Sequence, residues 1–162
     1  MPGLLQHSPA EVVSSLLILL GQASDPATGG DWPVVISSEP DIPDNLLVVF
    51  DTEGRQHGRT NPDSERQEHQ GIQIKIRSQY HPIGYLKAQT VATTLDKVFQ
   101  QLVNVNTVIT QPPANVPQTI TNVYKVANVL ITSGVIVLGK ETPTSKRSLF
   151  TINGVVSLRQ IS

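Results

Sequence analysis

The stretch from Pro9 to Ala23 constrains the fold most, because it is apolar around more than half of a helix's girth. Ser8-Pro9-Ala10-Glu11 carries the start signal: a serine hydroxyl to cap free amides, a proline suited to the first helical position, and a glutamate to complete a capping box. Val12, Val13, Leu16, Leu17, Leu19, Leu20 and Ala23 follow, more than one flat surface can cover. Such a helix must be buried broadly, for example between a sheet and another subunit. Turn-rich chain from Ser24 to Pro33 ends it.

A single domain spanning residues 1–162 is expected, since 162 residues can bury a core without metals or crosslinks. Charged residues make up only 15% of the chain, and a sparsely charged exterior leaves room for wide protein contacts. A small, mildly polar domain with no such role fits the composition equally well. There is no cysteine, so disulfides and thiolate chemistry are excluded. The most apolar run, Leu16 to Leu20, follows Ser14 and Ser15 and has no Lys or Arg before it. That fits neither a signal peptide nor a membrane span, so a soluble, cytoplasmically made product without membrane contact is expected.

Charge is unevenly distributed. Residues 1–54 hold eight acidic side chains and no Lys or Arg; the rest hold twelve basic and five acidic, a surplus of +7. Asymmetry of this kind suits a subunit whose acidic side meets the basic side of its neighbour, although the halves could equally neutralise each other within one fold. No basic run is dense enough for a nucleic-acid binder.

Val34-Val35-Ile36 is a short strand by pattern, and Leu46 to Phe50 a buried one. Between them, Glu39-Pro40-Asp41-Ile42-Pro43-Asp44-Asn45 cannot be regular structure, because its prolines remove donors and restrict the residues before them. From about 52 to 70 the chain is polar, with Gly54, Gly58 and Pro62, and reads as a long loop ordered by a neighbour. Ile72 to Arg77 alternates strictly, one face buried and one wet. A long central helix is expected over Tyr85 to Val103, where Ala88, Val91, Ala92, Leu95, Val98, Phe99 and Leu102 form a stripe.

After the turn at Gln111 to Pro117, Ile120 to Ile131 and Val135 to Leu138 read as strands meeting in a hairpin at Ser133-Gly134. Phe150, Ile152, Val156 and Leu158 share a face of the last strand, with Asn153-Gly154 either a tight turn or a bulge. The order implies α+β: a mainly antiparallel sheet packed by an N-terminal helix and a long central one.

Chemistry is sparse. His57 and His69 share the polar loop with Asp51, Glu53, Asp63, Glu65 and Glu68, but the spacing matches no metal motif. No serine lies in a glycine-flanked elbow, and neither Gly29-Gly30 nor Gly139-Lys140 has phosphate-loop spacing. No catalytic residue, cofactor or metal is expected; a small hydrolase sited in the His57–His69 loop is the remaining enzymatic alternative.

Three segments taken together resemble the phage minor capsid and tail terminator family of long, non-contractile tails. They are Glu39 to Asn45 running into Leu47-Val48-Val49-Phe50-Asp51-Thr52, the Gln73-x-x-x-Arg77 strand, and Leu138-Gly139 with Arg147-Ser148-Leu149-Phe150-Thr151-Ile152-Asn153. The turn after Gly139, Lys140 to Thr144, is longer than the family pattern. The resemblance implies a structural virion protein, six copies closing a ring that caps the tail tube and joins it to the head. Tail tube protein and head-completion or neck protein are the implied partners, DNA crosses the lumen unbound, and assembly takes place in the host cytoplasm. Another neck component or a tube subunit is the alternative. At the ring joint, Asp41, Asp44 and Asp51 are expected to face Arg55, Arg59 or Arg77 of a neighbour.

Overall fold

The computed structural model describes residues 7–60, 65–110, 112, 115–142, 144 and 146–161; for 53–60, 65–69 and 109 the backbone alone is described. The first helix, α1 (Pro9–Leu19), starts as its sequence dictates. Ser8 Oγ accepts from the Glu11 amide at 3.4 Å, and the Glu11 carboxylate accepts from the Ser8 amide at 2.8 Å. It stops four residues before Ala23, because Gly21 adopts φ 74°. The amides of Gln22 and Gly21 then reach back to the carbonyls of Leu17 and Ile18, closing the helix as a left-handed glycine cap does.

Seven strands follow: β1 (Val34–Ile36), β2 (Leu46–Thr60), β3 (Glu65–Ser78), β4 (Phe99–Thr110), β5 (Pro117–Ile131), β6 (Ile136–Lys140) and β7 (Ser148–Gln160), with helix α2 (His81–Asp96) between β3 and β4. The sheet runs β1-β2-β3-β7-β5-β4, with β6 also on β7. It is mixed: β1 lies parallel to β2, while the other described pairings are antiparallel. α1 packs on β1, β2, β3 and β4, so it spans both ends of the sheet and draws it into a curl; α2 packs on β3, β5 and β7. The core between helices and sheet joins Val13, Leu16 and Leu17 to Val49, Ile74, Ile76, Val91, Leu95, Val126, Phe150 and Ile152.

Four expectations are corrected. The segment from 52 to 70 is not a long loop: β2 and β3 pair as a hairpin from Leu46↔Arg77 out to Thr60↔Glu65, with two register shifts on the way. The polar sequence of this arm shows no apolar alternation by which a strand could be read. The second helix is shorter and earlier than Tyr85 to Val103. It begins at His81, ahead of Pro82, and ends at Asp96; Phe99 and Leu102 belong to β4 and are exposed. The stripe misleads because Val103 and Val105, buried at strand spacing, continue it.

Nor is Ser133-Gly134 a hairpin turn. β5 and β6 follow each other along the same edge of β7, pairing with Gly154 to Gln160 and with Ser148 to Thr151 respectively. The amides of Thr132 and Ser133 both donate to the Asn153 carbonyl across the junction. Last, β7 runs straight through Asn153-Gly154 against β3 without a register break. Glycine is needed there because a Cβ would lie 3.1 Å from the Leu130 carbonyl oxygen. A second glycine matters for layering: a Cβ on Gly84 would lie 2.5 Å from the Phe150 ring, so its absence lets α2 settle onto β7.

Candidate functional site

The face of the sheet opposite α1 and α2 carries a dense polar cluster. On β3 the alternating pattern puts Gln73, Lys75 and Arg77 on this face, and Arg77 lies opposite Leu46 of β2. The proline-bearing loop 39–45 folds back over these residues. Arg77 is therefore covered, with 1% of its surface accessible. Its Nη2 donates to the Pro43 carbonyl at 2.6 Å and its Nε to the Asp44 carbonyl at 3.4 Å, while Nη1 reaches Glu39 Oε1 at 3.5 Å. Lys75 holds the other Glu39 oxygen at 2.7 Å.

Arg147, just before β7, grips the same loop from the other side. Its Nη1 donates to the Asp41 carbonyl at 2.6 Å, Nη2 to Asp41 Oδ1 at 3.1 Å, and Nε to Glu141 Oε2 at 2.6 Å. Asp44 Oδ1 lies 3.7 Å from the same guanidinium. Burial alone would lower the Arg147 pKa, but hydrogen bonds to Asp41 and Glu141 and their charges outweigh it and hold the pKa above its ordinary value. Asn45 completes the fastening by accepting from the Gln79 amide at 3.0 Å. Two planar guanidiniums thus satisfy three loop carbonyls that no strand or helix can pair. What remains outward is Asp41, whose side chain is 91% exposed, and Ile42, at 77%.

Of the six residues singled out in the sequence, Asp41, Asp44 and Arg77 come together here. Arg77 is turned into its own chain rather than presented to a neighbour, because the loop roofs what strand alternation marks as a wet face. Asp51 lies elsewhere: its Oδ1 accepts from the Ala10 amide at 2.8 Å, capping the first turn of α1 from β2. Arg55 and Arg59 lie on the β2 side of the hairpin arm, and their side chains fall outside the described residues. Glu39, Glu141 and Arg147 were not singled out, although the three family-like segments include Glu39 and Arg147. Only the fold shows that those segments meet.

A second buried polar group ties down the chain ahead of α1. The His7 amide and Nδ1 both lie within hydrogen-bonding distance of Tyr124 Oη, at 2.9 and 2.8 Å, its Nε2 contacts Thr107 Oγ1, and Tyr124 Oη donates to Gln160 at 3.3 Å. His81 packs against Tyr85 and Phe150 at the start of α2. His57 and His69, the histidines of the imagined metal loop, lie outside the described side chains. Among the described residues, no group of three or more His, Asp or Glu side chains is placed to hold a metal ion.

In both clusters the contacts fasten chain to chain. Most of the contacts described for Arg77 and Arg147 end on a carbonyl or carboxylate of loop 39–45, and others on Glu141. That is the chemistry of a structural part that presents fixed surfaces. The chain belongs to the bacteriophage tail terminator protein family, whose profile matches residues 16–126. It is thus a structural component of the phage tail. No curated protein sequence matches it. The match takes in Glu39, Asp41, Asp44 and Arg77, while Glu141 and Arg147 lie beyond it, so the clasp joins the matched region to the strands that follow.

Proposed function

We propose that this protein is the tail terminator proper: a ring, six-membered in our reading, that stops growth of the tail tube at its head-proximal end and joins it to the neck. Its partners in this reading are further copies of itself, the tail tube protein and a head-completion protein, and DNA passes through the lumen unheld. Membership of the tail terminator family is the observation that carries it. The structure supports it through its two unlike faces, since a closed ring needs a different patch on each side of every subunit. The fixed loop 39–45 offers one surface, and the edges of β1 and β4 that are unpaired among the described residues offer another.

The joint sets an acidic surface of one copy against Arg55 and Arg59 of the next. Arg77 does not cross the joint in this reading; it shapes the loop that does. Assembly takes place in the host cytoplasm, with residues 1–162 acting as one unit.

Negative-stain microscopy of the purified protein tests the proposal. Single six-fold rings that stop at one layer are expected. Long cylinders would instead make the protein a tube subunit, and particles that stay monomeric at high concentration would end the ring reading.

A further inference from the structure

The two free ends of the sheet do not lie far apart. α1 packs against both β1 and β4, and between these strands runs a groove of about 520 Å³ floored by Ser14, Ser15 and Ile18. Its walls are Val34 to Ile36 on one side and Val105 to Val108 on the other, both from strands that pair on only one edge among the described residues. A strand edge left open beside a groove is a template for another strand. The groove also has a sign: Glu11 and Asp25 line it, and no Lys or Arg does.

The same chain carries a strand that, among the described residues, is paired on one edge only over its outer part. β3 loses its β7 neighbour beyond His69, and β1 covers β2 only at Leu47 to Val49. From Arg55↔His69 to Thr60↔Glu65 the arm is a two-stranded ribbon. Such a ribbon is at best marginally stable in water by itself and gains most from a third strand or a packed face. Its β2 side, Gly54 to Thr60, contains Arg55, His57 and Arg59 and no acidic residue.

We infer that the groove between β1 and β4 receives the β2 side of the hairpin arm from a second copy of this chain, so that each subunit both gives and takes one arm. This rests on the ring reading and narrows it. The acidic surface that meets Arg55 and Arg59 is the groove rather than loop 39–45, where Asp41 and Asp44 already face Arg147. Because giving and taking sites differ, the contact is heterologous and can close a ring.

The chain has no cysteine, so introduced ones report without interference. Ser15→Cys places a thiol on the groove floor and Gln56→Cys places one on the arm, and neither alters a charge. The two single variants, mixed and treated with a short bismaleimide, should give covalent dimers that neither variant gives alone. The protein carrying both substitutions should give a ladder up to the ring. Arg55→Glu with Arg59→Glu should cut that yield about tenfold, with circular dichroism unchanged. Rings in the microscope without crosslinks would overturn this docking and leave the ring reading standing. A crosslink confined to single chains would also overturn it, since the arm would then fill its own groove. Crosslinked dimers that never close would support the docking and count against the ring.

Discussion

Loop 39–45 and the β2–β3 arm are both polar excursions from the sheet, yet they are held in opposite ways. The loop has no backbone ladder, and its shape comes from side chains: Arg77 and Arg147 take the carbonyls of Asp41, Pro43 and Asp44. The arm has a backbone ladder from Arg55 to Glu65, but that ladder leads only to itself. One is fixed from outside by the body of the protein; the other is ordered locally and attached at its root. The comparison separates two uses of surface. A fixed loop can meet a partner with little loss of conformational freedom, whereas an arm lacking its own support gains order when a partner covers it.

The largest effect expected from this contrast is at Arg77. Arg77→Met keeps the bulk but leaves the Pro43 and Asp44 carbonyls without their guanidinium and Glu39 with Lys75 alone, and should cost about 3 kcal/mol in urea unfolding. An unchanged midpoint would mean that the loop is not held this way. Arg77→Lys should rescue little, because one ammonium cannot reach three acceptors in different directions.

A smaller loss, within about 1 kcal/mol, is expected for Arg147→Ala, whose partners are more open to water. High salt should shrink that loss and leave the Arg77 effect in place; equal salt dependence of both would contradict their different burial. The smallest effect belongs to the arm. Replacing residues 54–68 by two glycines should hardly move the unfolding midpoint of the isolated subunit, since among the described residues the ladder removed pairs β2 with β3 alone. A loss comparable to that at Arg77 would show that the arm packs on its own body. Under the docking inferred above, the same deletion should leave single subunits under conditions in which the intact chain forms rings.

The legibility of these regions from the sequence follows their physics. The start of α1 and the strand Ile72 to Arg77 were readable because caps and alternation are local signals. Loop 39–45 was readable as irregular, since two prolines forbid a ladder, but its fastening was not. Arg77 occupies the position of a solvent-facing residue in an alternating strand, and the roof over it comes from more than thirty residues earlier. Arg147 was hidden for the same reason, with Asp41 106 positions away. The arm was misread because composition was the only available signal: with both faces polar, period two vanishes while the hydrogen bonds remain. The end of α2 failed differently, through an apolar stripe that continues into β4. The three family-like segments marked the right places without showing that they touch.

The place of β7 has a consequence for how the subunit is made. β1, β2 and β3 form one group of paired strands and β4 and β5 another, and among the described residues the ladders of the two groups are joined through β7. All of those strands precede it in the chain, so a nascent polypeptide can form both groups before it can join them. Completing the sheet brings together segments far apart in sequence, which slows folding. Arg147 enters at the same moment, just ahead of β7, so loop 39–45 gains its second grip only when the central strand arrives. An unfinished chain therefore lacks both the joined sheet and the fully gripped loop, so the surface around loop 39–45 is completed only late in synthesis.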